Sequence, residues 1–301
     1  MTTTNKILLI DGNNLAHRAR HRFIKFSNKE GKSSSVAFGA PKIISSLLRR
    51  FPSDICYAVF DGGRAAERLA LLPGYKDRDK KDVDDGFEEQ MEDLMTMLSH
   101  MNVRVVHSTG KEADDYIYGL CRAHPRIHKT IVSSDKDFIP LLNEYTKIFN
   151  PFKDKIISTI NVHDVYGFSH REFVDYLILK GDKSDGIPGV SGLGDKRIRD
   201  FLDTYESIDG YFEAAEAGKS LGVFDKYFDQ IDEVYDINLE LINLRYFWTK
   251  HYRGKVAIPS INKGWDYKVV SKLAFKYSIT SFRDENFQKP FKKLESGSSN
   301  I

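Results

Sequence analysis

Nine acidic residues stand where the sequence predicts that carboxylates converge, either directly after apolar runs of strand type or in a polar turn beside a helix. They are Asp11, Asp61, Glu112, Asp114, Asp115, Asp135, Asp137, Asp182 and Asp185. Like charges about 4 Å apart repel by roughly 4 kcal/mol per pair at an effective dielectric constant of about 20, so such a centre needs divalent cations. Oxygen ligands without Cys or His are typical of magnesium or manganese and not of zinc.

Two such cations have a definite chemistry. Held about 4 Å apart, they stabilise the attacking and the departing oxygen of phosphodiester hydrolysis, and one of them can generate hydroxide near neutral pH. This chemistry needs no covalent protein nucleophile. The carboxylates therefore predict a hydrolase that cleaves a phosphate backbone.

Short strands with helices between them must position these carboxylates. The predicted strands are Lys6–Ile10, Cys56–Phe60, Asn102–Val106 and Lys129–Val132, with an edge hairpin at Lys147–Phe149 and Ile156–Ser158. The alternation predicts the α/β class, with a mostly parallel central sheet flanked by helices, and ligands bind beyond the carboxyl ends of such strands. One helix spans residues 87 to 101, and its methionines are predicted to lie in the core.

The stretch Gly181–Arg197 combines the carboxylates of Asp182 and Asp185 with a glycine hairpin at Gly189–Gly194, which Lys196 and Arg197 follow. Its glycines allow a tight turn and a close approach to a ligand, although a glycine-rich turn alone is more often only a turn. A helix N-terminus with nearby cations binds a nucleic-acid backbone without reading bases. The predicted backbone-binding residues here are Gly189, Val190, Gly192, Gly194, Lys196 and Arg197.

The segment Gly62–Lys81 is rich in Lys and Arg around a Pro-Gly-Tyr turn. Such a run of charged residues is as consistent with an ordinary solvated surface as with a functional site. On the functional interpretation, Lys80 and Lys81 also bind nucleic acid.

The string Gly181–Lys196 resembles the helix–three-turn–helix segment of the flap endonuclease and 5′-nuclease superfamily, whose pattern is roughly G-D-x-S-D-N-I-P-G-V-x-G-I-G-x-K. It departs from that pattern mainly at Gly186, where the family has Asn. Glu-Ala-Asp-Asp at 112–115 and Asp-x-Asp at 135–137 resemble two further motifs of the superfamily. The resemblance covers about residues 6 to 205 and implies a similar core, followed by a C-terminal helix–three-turn–helix module.

The resemblance also implies catalytic residues in the basic segment, at the base of a helical arch near residues 64 to 100. They are Lys76, Arg78, Tyr75 and Arg68. In the family the tyrosine stacks on a terminal base, and the lysine and a nearby arginine contact the scissile phosphate. Arg78 stands one position earlier than the arginine of the family pattern.

For the metals, the resemblance implies two ions, magnesium or manganese. One would be held by Asp61, Glu112 and Asp114, and the other by Asp114, Asp135, Asp137 and Asp182. Asp11 would act through water, and Asp115 and Asp185 would be more loosely associated. A potassium ion is a further candidate, on carbonyl groups of the glycine hairpin.

These observations predict a metal-dependent, structure-specific 5′-nuclease with exonuclease and flap endonuclease activity on branched or nicked DNA. RNA in an RNA–DNA hybrid is a second candidate substrate, and a polymerase or a single-strand-binding protein is a candidate partner. The chain is expected to be a monomer of the stand-alone phage type. Two alternatives stay open, a PIN-type ribonuclease, although PIN domains are shorter and lack the glycine hairpin, and a catalytically silent DNA-junction binder, against which the intact acids argue.

Composition is consistent with this interpretation. The net charge is +2, but without the nine acids above, 34 acidic residues stand against 45 Lys and Arg. A basic body around an acidic centre suits an enzyme that binds a polyanion. Without a signal peptide, a membrane span or a predicted disulfide between Cys56 and Cys121, the expected location is the cytoplasm of a bacterial or phage-infected cell.

The expected domain organisation has three parts. Residues 1–167 would form the α/β nuclease core, including the arch. Residues 168–294 would form a helical DNA-binding module with the helix–three-turn–helix at about 173–203, and residues 295–301 a disordered tail.

Overall fold

The computed structural model describes residues 6–77, 86–107, 109–252 and 258–295. Within these ranges seven strands form one sheet, which is mixed and mostly parallel. In chain order the strands are β1 (Lys6–Asp11), β2 (Ile55–Phe60), β3 (Arg104–His107), β4 (His128–Val132), β5 (Thr146–Asn150), β6 (Lys155–Ile157) and β7 (Ser260–Ile261).

The order across the sheet is β6-β5-β4-β1-β2-β3-β7. The five inner strands pair in parallel, while β6 and β7 pair antiparallel at the two edges. The predicted α/β class and the predicted edge hairpin, formed by β5 and β6, are both confirmed. The sequence pattern did not predict β7, because two residues are too few to show a strand period.

The part of the chain that the structure describes also contains thirteen α-helices. They are α1 (Gly12–Arg22), α2 (Ser35–Arg50), α3 (Ala66–Leu71), α4 (Phe87–Ser99), α5 (Ala113–Ala123), α6 (Val162–Tyr166), α7 (Phe173–Lys180), α8 (Asp195–Tyr205), α9 (Ile208–Glu216), α10 (Phe228–Ile242), α11 (Leu244–His251), α12 (Tyr267–Lys276) and α13 (Glu285–Lys292).

The sheet has an apolar layer on each face, because successive side chains of a strand point to opposite sides. In β1, Ile7 and Leu9 belong to the layer that continues into α5 and the helices α7 to α11, while Leu8 and Ile10 belong to the layer beneath α1, α2, α4 and α13. Met91 of α4 and Met101 just after this helix are buried in this second layer, as the helical spacing predicted. Since both faces are covered, the ends of the strands are the places where polar groups can meet solvent.

The chain beyond residue 168 packs in two different parts of the structure. Helices α7 to α11 pack as a helical unit beside α3 and α5, with α10 against α7 and α11 against α5. Residues 258–295, which the sequence analysis assigned to the same module, instead return to the core, where β7 pairs with β3 and α13 packs against α2. The boundary near residue 167 stays a prediction.

Three further expectations concern the two cysteines, a membrane-spanning helix and the C-terminal tail. Cys56 in β2 and Cys121 in α5 are free thiols, as predicted. No helix in the described ranges has the length and apolar character needed to cross a membrane. The predicted tail lies outside the described residues from 296 onward, and Glu295 donates its backbone N–H to the carbonyl of Asp54.

Candidate active site

The carboxyl ends of neighbouring strands bring the predicted acidic residues to one edge of the sheet. Asp11 is the last residue of β1, Asp61 follows β2 directly, and Asp135 lies three residues after β4. Glu112 is the N-cap of α5, and Asp114 lies in the first turn of that helix. Because β1 pairs with both β2 and β4, these carboxylates approach one another across three adjacent strands.

Asp11 shows how burial and charge act at this edge. Its carboxylate is buried and accepts hydrogen bonds from the Asn14 N–H at 3.0 Å and from the Ser133 hydroxyl at 2.7 Å. The pKa of Asp11 is nevertheless raised to about 7, mainly by burial and in addition by the charges of Asp61 and Asp135, which together outweigh the two hydrogen bonds. A free carboxylate is therefore disfavoured here unless a cation is near.

Asp114 and Asp137 are in the same situation. Burial raises the pKa of both carboxyls well above the ordinary value, and the neighbouring charge of Asp135 contributes to each. Asp135 caps the short 3₁₀ helix at 136–141, where its side chain accepts the Asp137 N–H at 2.9 Å. Burial also raises the pKa of Asp135 itself.

Lys76 is the cation nearest to these acids in the described residues. Its Nζ lies 2.6 Å from Glu112, 3.8 Å from Asp114 and 3.9 Å from Asp185. Burial alone would lower the pKa of Lys76, but the three carboxylates together keep it above the ordinary value. The side chain is therefore an ammonium ion held among acids from both the core and the helical unit.

The loop between α7 and α8 contributes Asp182 and Asp185. Asp182 accepts the N–H of Ser184 at 2.7 Å and its hydroxyl at 2.6 Å. Although burial raises the pKa of Asp182, these two hydrogen bonds outweigh it and bring the pKa below the usual value. Asp185 is largely buried and approaches Lys76. The structure thus brings both residues to the edge where the core acids lie.

Arg68 and Asp115 form a buried ion pair behind this edge. The guanidinium donates to both oxygens of Asp115, at 2.9 and 2.8 Å, and lies 3.4 Å from Glu112. Its other face lies 3.7 Å from the ring centre of Phe247 in α11. Burial would lower the pKa of Arg68, but the charge of Asp115 more than offsets this, so the guanidinium stays protonated.

This geometry corrects the roles expected for two of the catalytic candidates. Arg68 is 1% exposed, so it orients Asp115 and Glu112 and cannot contact a substrate phosphate. Tyr75 is 3% exposed, and its hydroxyl donates to Glu112 at 3.0 Å. A ring enclosed in this way offers no stacking face to a base, so Tyr75 supports Glu112 instead. Both residues are too far inside the fold for the roles that the resemblance implied.

The glycine hairpin is held by contacts that explain its glycines. A Cβ at Gly189 would lie 2.1 Å from the carbonyl oxygen of Lys180, so only glycine fits against the end of α7. Asn238 of α10 is fully buried and donates to the carbonyls of Ile178 and Pro188, at 3.0 and 2.7 Å. The hairpin is thereby fixed to the helical unit before any ligand binds.

The remaining predicted nucleic-acid contacts differ in exposure. Gly192, Gly194 and Lys196 are exposed at or near the start of α8, whereas Val190 is buried and can offer only backbone groups. Arg197 is exposed, and its guanidinium donates to the Gly192 carbonyl at 2.7 Å. Three further candidates lie outside the described residues, namely Arg78, Lys80 and Lys81. Of the segment expected to form an arch, Phe87–Ser99 is a helix packed on the core.

Several supporting residues were not predicted. Asn13 accepts the backbone N–H of Asp61 at 3.1 Å, and Ser133 donates to Asp11 as described above. The Asp61 carboxylate accepts the N–H of Ala113 at 2.8 Å, which ties β2 to the start of α5. For Asn13 and Ser133 the sequence did carry a signal, because both are polar residues that come just after β1 and β4. Asn238 had no comparable signal, because its partners are 50 and 60 residues away in sequence.

The donor set fits divalent metal ions by its chemistry. Mutually adjacent carboxylates with raised pKa values are stabilised when cations bind between them. Within the described ranges, however, no three His, Cys, Asp or Glu side chains stand ready as ligands of one ion. Lys76 occupies the space between Glu112, Asp114 and Asp185 instead. Metal binding therefore requires these side chains to reorient around the ion.

Asp137→Asn is expected to stabilise the metal-free protein at pH 8 in EDTA, raising the unfolding midpoint by about 2 to 4 °C, the shift that about 1 kcal/mol produces in a chain of this size. A carboxyl whose pKa is raised by folding weakens the fold as pH rises from its ordinary pKa through the raised one. Asparagine carries no charge, so the gain should vanish near pH 4, where Asp137 is protonated.

The measurement is thermal unfolding by circular dichroism across this pH range. Asp232→Asn, at an exposed position on α10, is the matched control and should leave the midpoint within about 1 °C. An Asp137→Asn protein that is less stable than the wild type at pH 8 in EDTA would contradict the repulsion described here.

Two protein families match this chain in sequence, and together they cover residues 6–246. Residues 6–167 match the family described as 5′-3′ exonuclease, N-terminal resolvase-like domain. Residues 168–246 match the family described as 5′-3′ exonuclease, C-terminal SAM fold. The first match alone covers more than half of the chain.

Individual proteins are also similar. A 5′-3′ exonuclease of Buchnera aphidicola subsp. Acyrthosiphon pisum is 29% identical over 222 residues, which cover 72% of this chain and 77% of that protein. DNA polymerase I of Streptococcus pneumoniae is 31% identical over 225 residues, and the match spans 71% of this chain but only 26% of the polymerase.

Among solved structures, the bacteriophage T5 flap endonuclease in a pseudo-enzyme–product complex with DNA and metal ions has a similar fold. The TM-score is 0.69 at 19% sequence identity, over 91% of this chain and 98% of that one. At this level of identity the likeness concerns the fold.

Proposed function

This chain belongs to the 5′-3′ exonuclease family, and on that premise we propose that it hydrolyses phosphodiester bonds in DNA near a 5′ end or at a branch, with divalent metal ions. The observation that supports this most strongly is the position of Lys76. One ammonium ion lies 2.6 to 3.9 Å from Glu112, Asp114 and Asp185, where the core meets the helical unit that carries the glycine hairpin. A site that combines a cation with surplus carboxylates suits a phosphodiester and its metals.

When bound, the two ions supply Lewis-acid stabilisation of the reacting oxygens and lower the pKa of a water molecule. The residues proposed to hold them are Asp61, Glu112, Asp114, Asp135, Asp137 and Asp182, with Asp11 acting through water. Magnesium or manganese suits these oxygen donors.

The chain's own residues hold and orient this set. Tyr75 and Arg68 restrain Glu112, and Ser133 restrains Asp11. Lys76 stays protonated, so it can donate to a phosphate oxygen whose negative charge grows in the transition state. The exposed hairpin and the start of α8 are proposed to bind the duplex phosphates on one side of the scissile bond.

Potassium fits the hairpin less well than divalent ions fit the carboxylates. The Gly192 carbonyl already accepts hydrogen bonds from Arg197 and from the Tyr227 hydroxyl. A potassium ion on this oxygen would require Arg197 to withdraw, because two cations would otherwise share one acceptor. The potassium site, the hybrid substrate and a protein partner stay predictions.

The test is to incubate purified protein with five labelled substrates of one sequence, namely a 5′ flap, a nicked duplex, single-stranded DNA, single-stranded RNA and an RNA–DNA hybrid. Magnesium should support cleavage of the flap and the nicked duplex from the 5′ side, and EDTA should stop it. Cleavage that is indifferent to EDTA would overturn the metal proposal. Binding without cleavage in both magnesium and manganese would favour the silent junction binder, and cleavage only of single-stranded RNA would favour the PIN-type ribonuclease.

Lys196→Ala is expected to weaken binding to duplex-containing substrates to a similar extent for all sequences, and to reduce the slope of log K against log salt by about one unit. The physical reason is that an exposed lysine at the start of α8 contacts a phosphate and releases a counterion without reading a base. Fluorescence anisotropy from 50 to 200 mM salt, a range of about fourfold, measures this slope.

Lys292→Ala is the matched control, because α13 packs against α2 on the opposite face of the sheet from the hairpin. It should leave the slope unchanged. A Lys196→Ala protein with the wild-type slope but an altered base preference would show that the hairpin is not a backbone anchor.

A further inference from the structure

The turn that carries Lys76 is docked on the loop between α7 and α8 through its backbone. The N–H of Lys76 donates to the carbonyl of Asp185 at 2.9 Å. Lys76 itself has a φ of +50°, in the left-handed region that side chains other than glycine rarely adopt. A residue held in this conformation needs support from its surroundings, and the bond to Asp185 supplies it.

Gly186 makes this docking possible. Its φ is +74°, and a Cβ built on it would lie 2.9 Å from the carbonyl oxygen of Gly74, which begins the same turn. That oxygen belongs to the backbone, so it cannot swing aside as the end of a long side chain would. Any residue other than glycine at 186 must push the turn away from the loop.

Gly186 is also the main departure of this chain from the family pattern in the stretch Gly181–Lys196, because the family has Asn at this position. Asparagine tolerates a positive φ better than most residues, so backbone conformation alone does not require glycine here. Asparagine nevertheless has a Cβ, and this atom would lie too close to the carbonyl oxygen of Gly74. The close approach of the two backbones is therefore the feature that glycine alone permits.

We propose that Gly186 is a positioning residue for Lys76. Because Gly186 has no side chain, the turn that carries Lys76 can dock on the Asp182–Ile187 loop between α7 and α8, and this docking fixes the ammonium beside Glu112. The proposal rests on the proposed function, in which Lys76 donates to the scissile phosphate. It assigns to the loop a second task besides contributing Asp182 and Asp185. The loop sets the backbone position of a residue that lies more than 100 positions earlier in the chain.

Two substitutions separate the missing Cβ from the positive φ. Gly186→Ala introduces both a Cβ and backbone strain, whereas Gly186→Asn introduces the Cβ with less strain. Each should lower the single-turnover rate on a saturating flap substrate by about ten- to fiftyfold, while the Kd for that substrate in calcium changes less than about threefold. Gly218→Ala is the matched control, since Gly218 has a φ of +66° in the same helical unit and no atom within 4 Å of its added Cβ. It should cleave at the wild-type rate.

A double-mutant cycle with Lys76→Ala decides whether the effect passes through the lysine. If Gly186 acts by positioning Lys76, then Gly186→Asn in the Lys76→Ala background should cost less than about twofold in rate. A purely structural role would give the full loss in both backgrounds. The proposal is overturned if Gly186→Asn lowers the rate in the Lys76→Ala background as much as it does in the wild type. It is also overturned if Gly186→Asn alone cleaves at the wild-type rate.

The outcomes also distinguish this proposal from the proposed function. If Lys76→Ala alone cleaves at the wild-type rate at saturation, Lys76 does not act on the scissile phosphate. The premise of the Gly186 proposal then fails as well. If Lys76→Ala is slow while Gly186→Asn is normal, the function stands and only the positioning role is lost. Thermal unfolding of each variant, compared with Gly218→Ala, verifies that the fold is retained.

Discussion

Asp135→Asn is expected to lower hydrolysis by at least about a thousandfold, which corresponds to about 4 kcal/mol of lost transition-state stabilisation. Asp135 lies at the carboxyl end of β4, and its side chain also caps the 3₁₀ helix that carries Asp137. Asparagine keeps the shape and the capping oxygen but removes a negative charge from the set proposed to hold the metals. Fold and DNA contacts should therefore survive while the chemistry is lost.

DNA binding by the same variant should be unchanged or tighter, because one charge that repels phosphate is gone. The measurements are single-turnover cleavage of a flap substrate in magnesium and its Kd in calcium. Asp232→Asn on α10 is the control for a neutralised acid away from the site, and it should cleave at the wild-type rate. Full turnover by Asp135→Asn in magnesium would refute the assignment of this residue to the metal centre.

Lys76→Ala is expected to reduce the saturated single-turnover rate by about a hundredfold while the Kd changes only severalfold. The ammonium is mostly enclosed among Glu112, Asp114 and Asp185, so it adds little to long-range attraction of DNA. Loss of one exposed cation would cost up to about 1 kcal/mol of affinity. Loss of a donor aimed at developing phosphate charge costs about 3 kcal/mol or more in the transition state.

Lys183→Ala provides the contrast, since Lys183 is an exposed cation in the same loop as Asp182. It should alter affinity at low salt and leave the saturated rate unchanged. If Lys76→Ala reached the wild-type rate at saturation, Lys76 would be one more cation that attracts the polyanion, and its proposed contact with the scissile phosphate would be wrong.

Sequence reasoning was most successful where local pattern and position carry the information. A short apolar run followed by Asp marks the end of a buried strand, and in a parallel sheet such ends meet at one edge. Asp11 and Asp61 therefore lie near each other as expected, at the carboxyl ends of the paired strands β1 and β2. The methionines of α4 were assigned to the core for the same kind of reason, since their spacing placed them on one helix face.

The roles of Arg68 and Tyr75 illustrate the limit of that reasoning. Their residue types and spacing matched a substrate-binding pattern, but both are buried and hold carboxylates in place. A charged or polar side chain near an active site can bind substrate or orient its neighbours, and the choice depends on which side of the backbone faces solvent. For Arg68 that orientation is set by packing against α10 and α11, more than 150 residues later in the chain, and for Tyr75 by its hydrogen bond to Glu112.

The sequence alone thus determined the α/β class, the strands that end in acids and the glycine-rich stretch, because each depends on residues that are neighbours in the chain. The tertiary structure alone decided that Lys76 lies among carboxylates of two units, that its turn rests on Gly186, and that residues 258–295 return to the sheet at β3. These features depend on contacts between segments far apart in sequence. Whether such contacts form is decided by shape and burial over the whole chain, which no local period records.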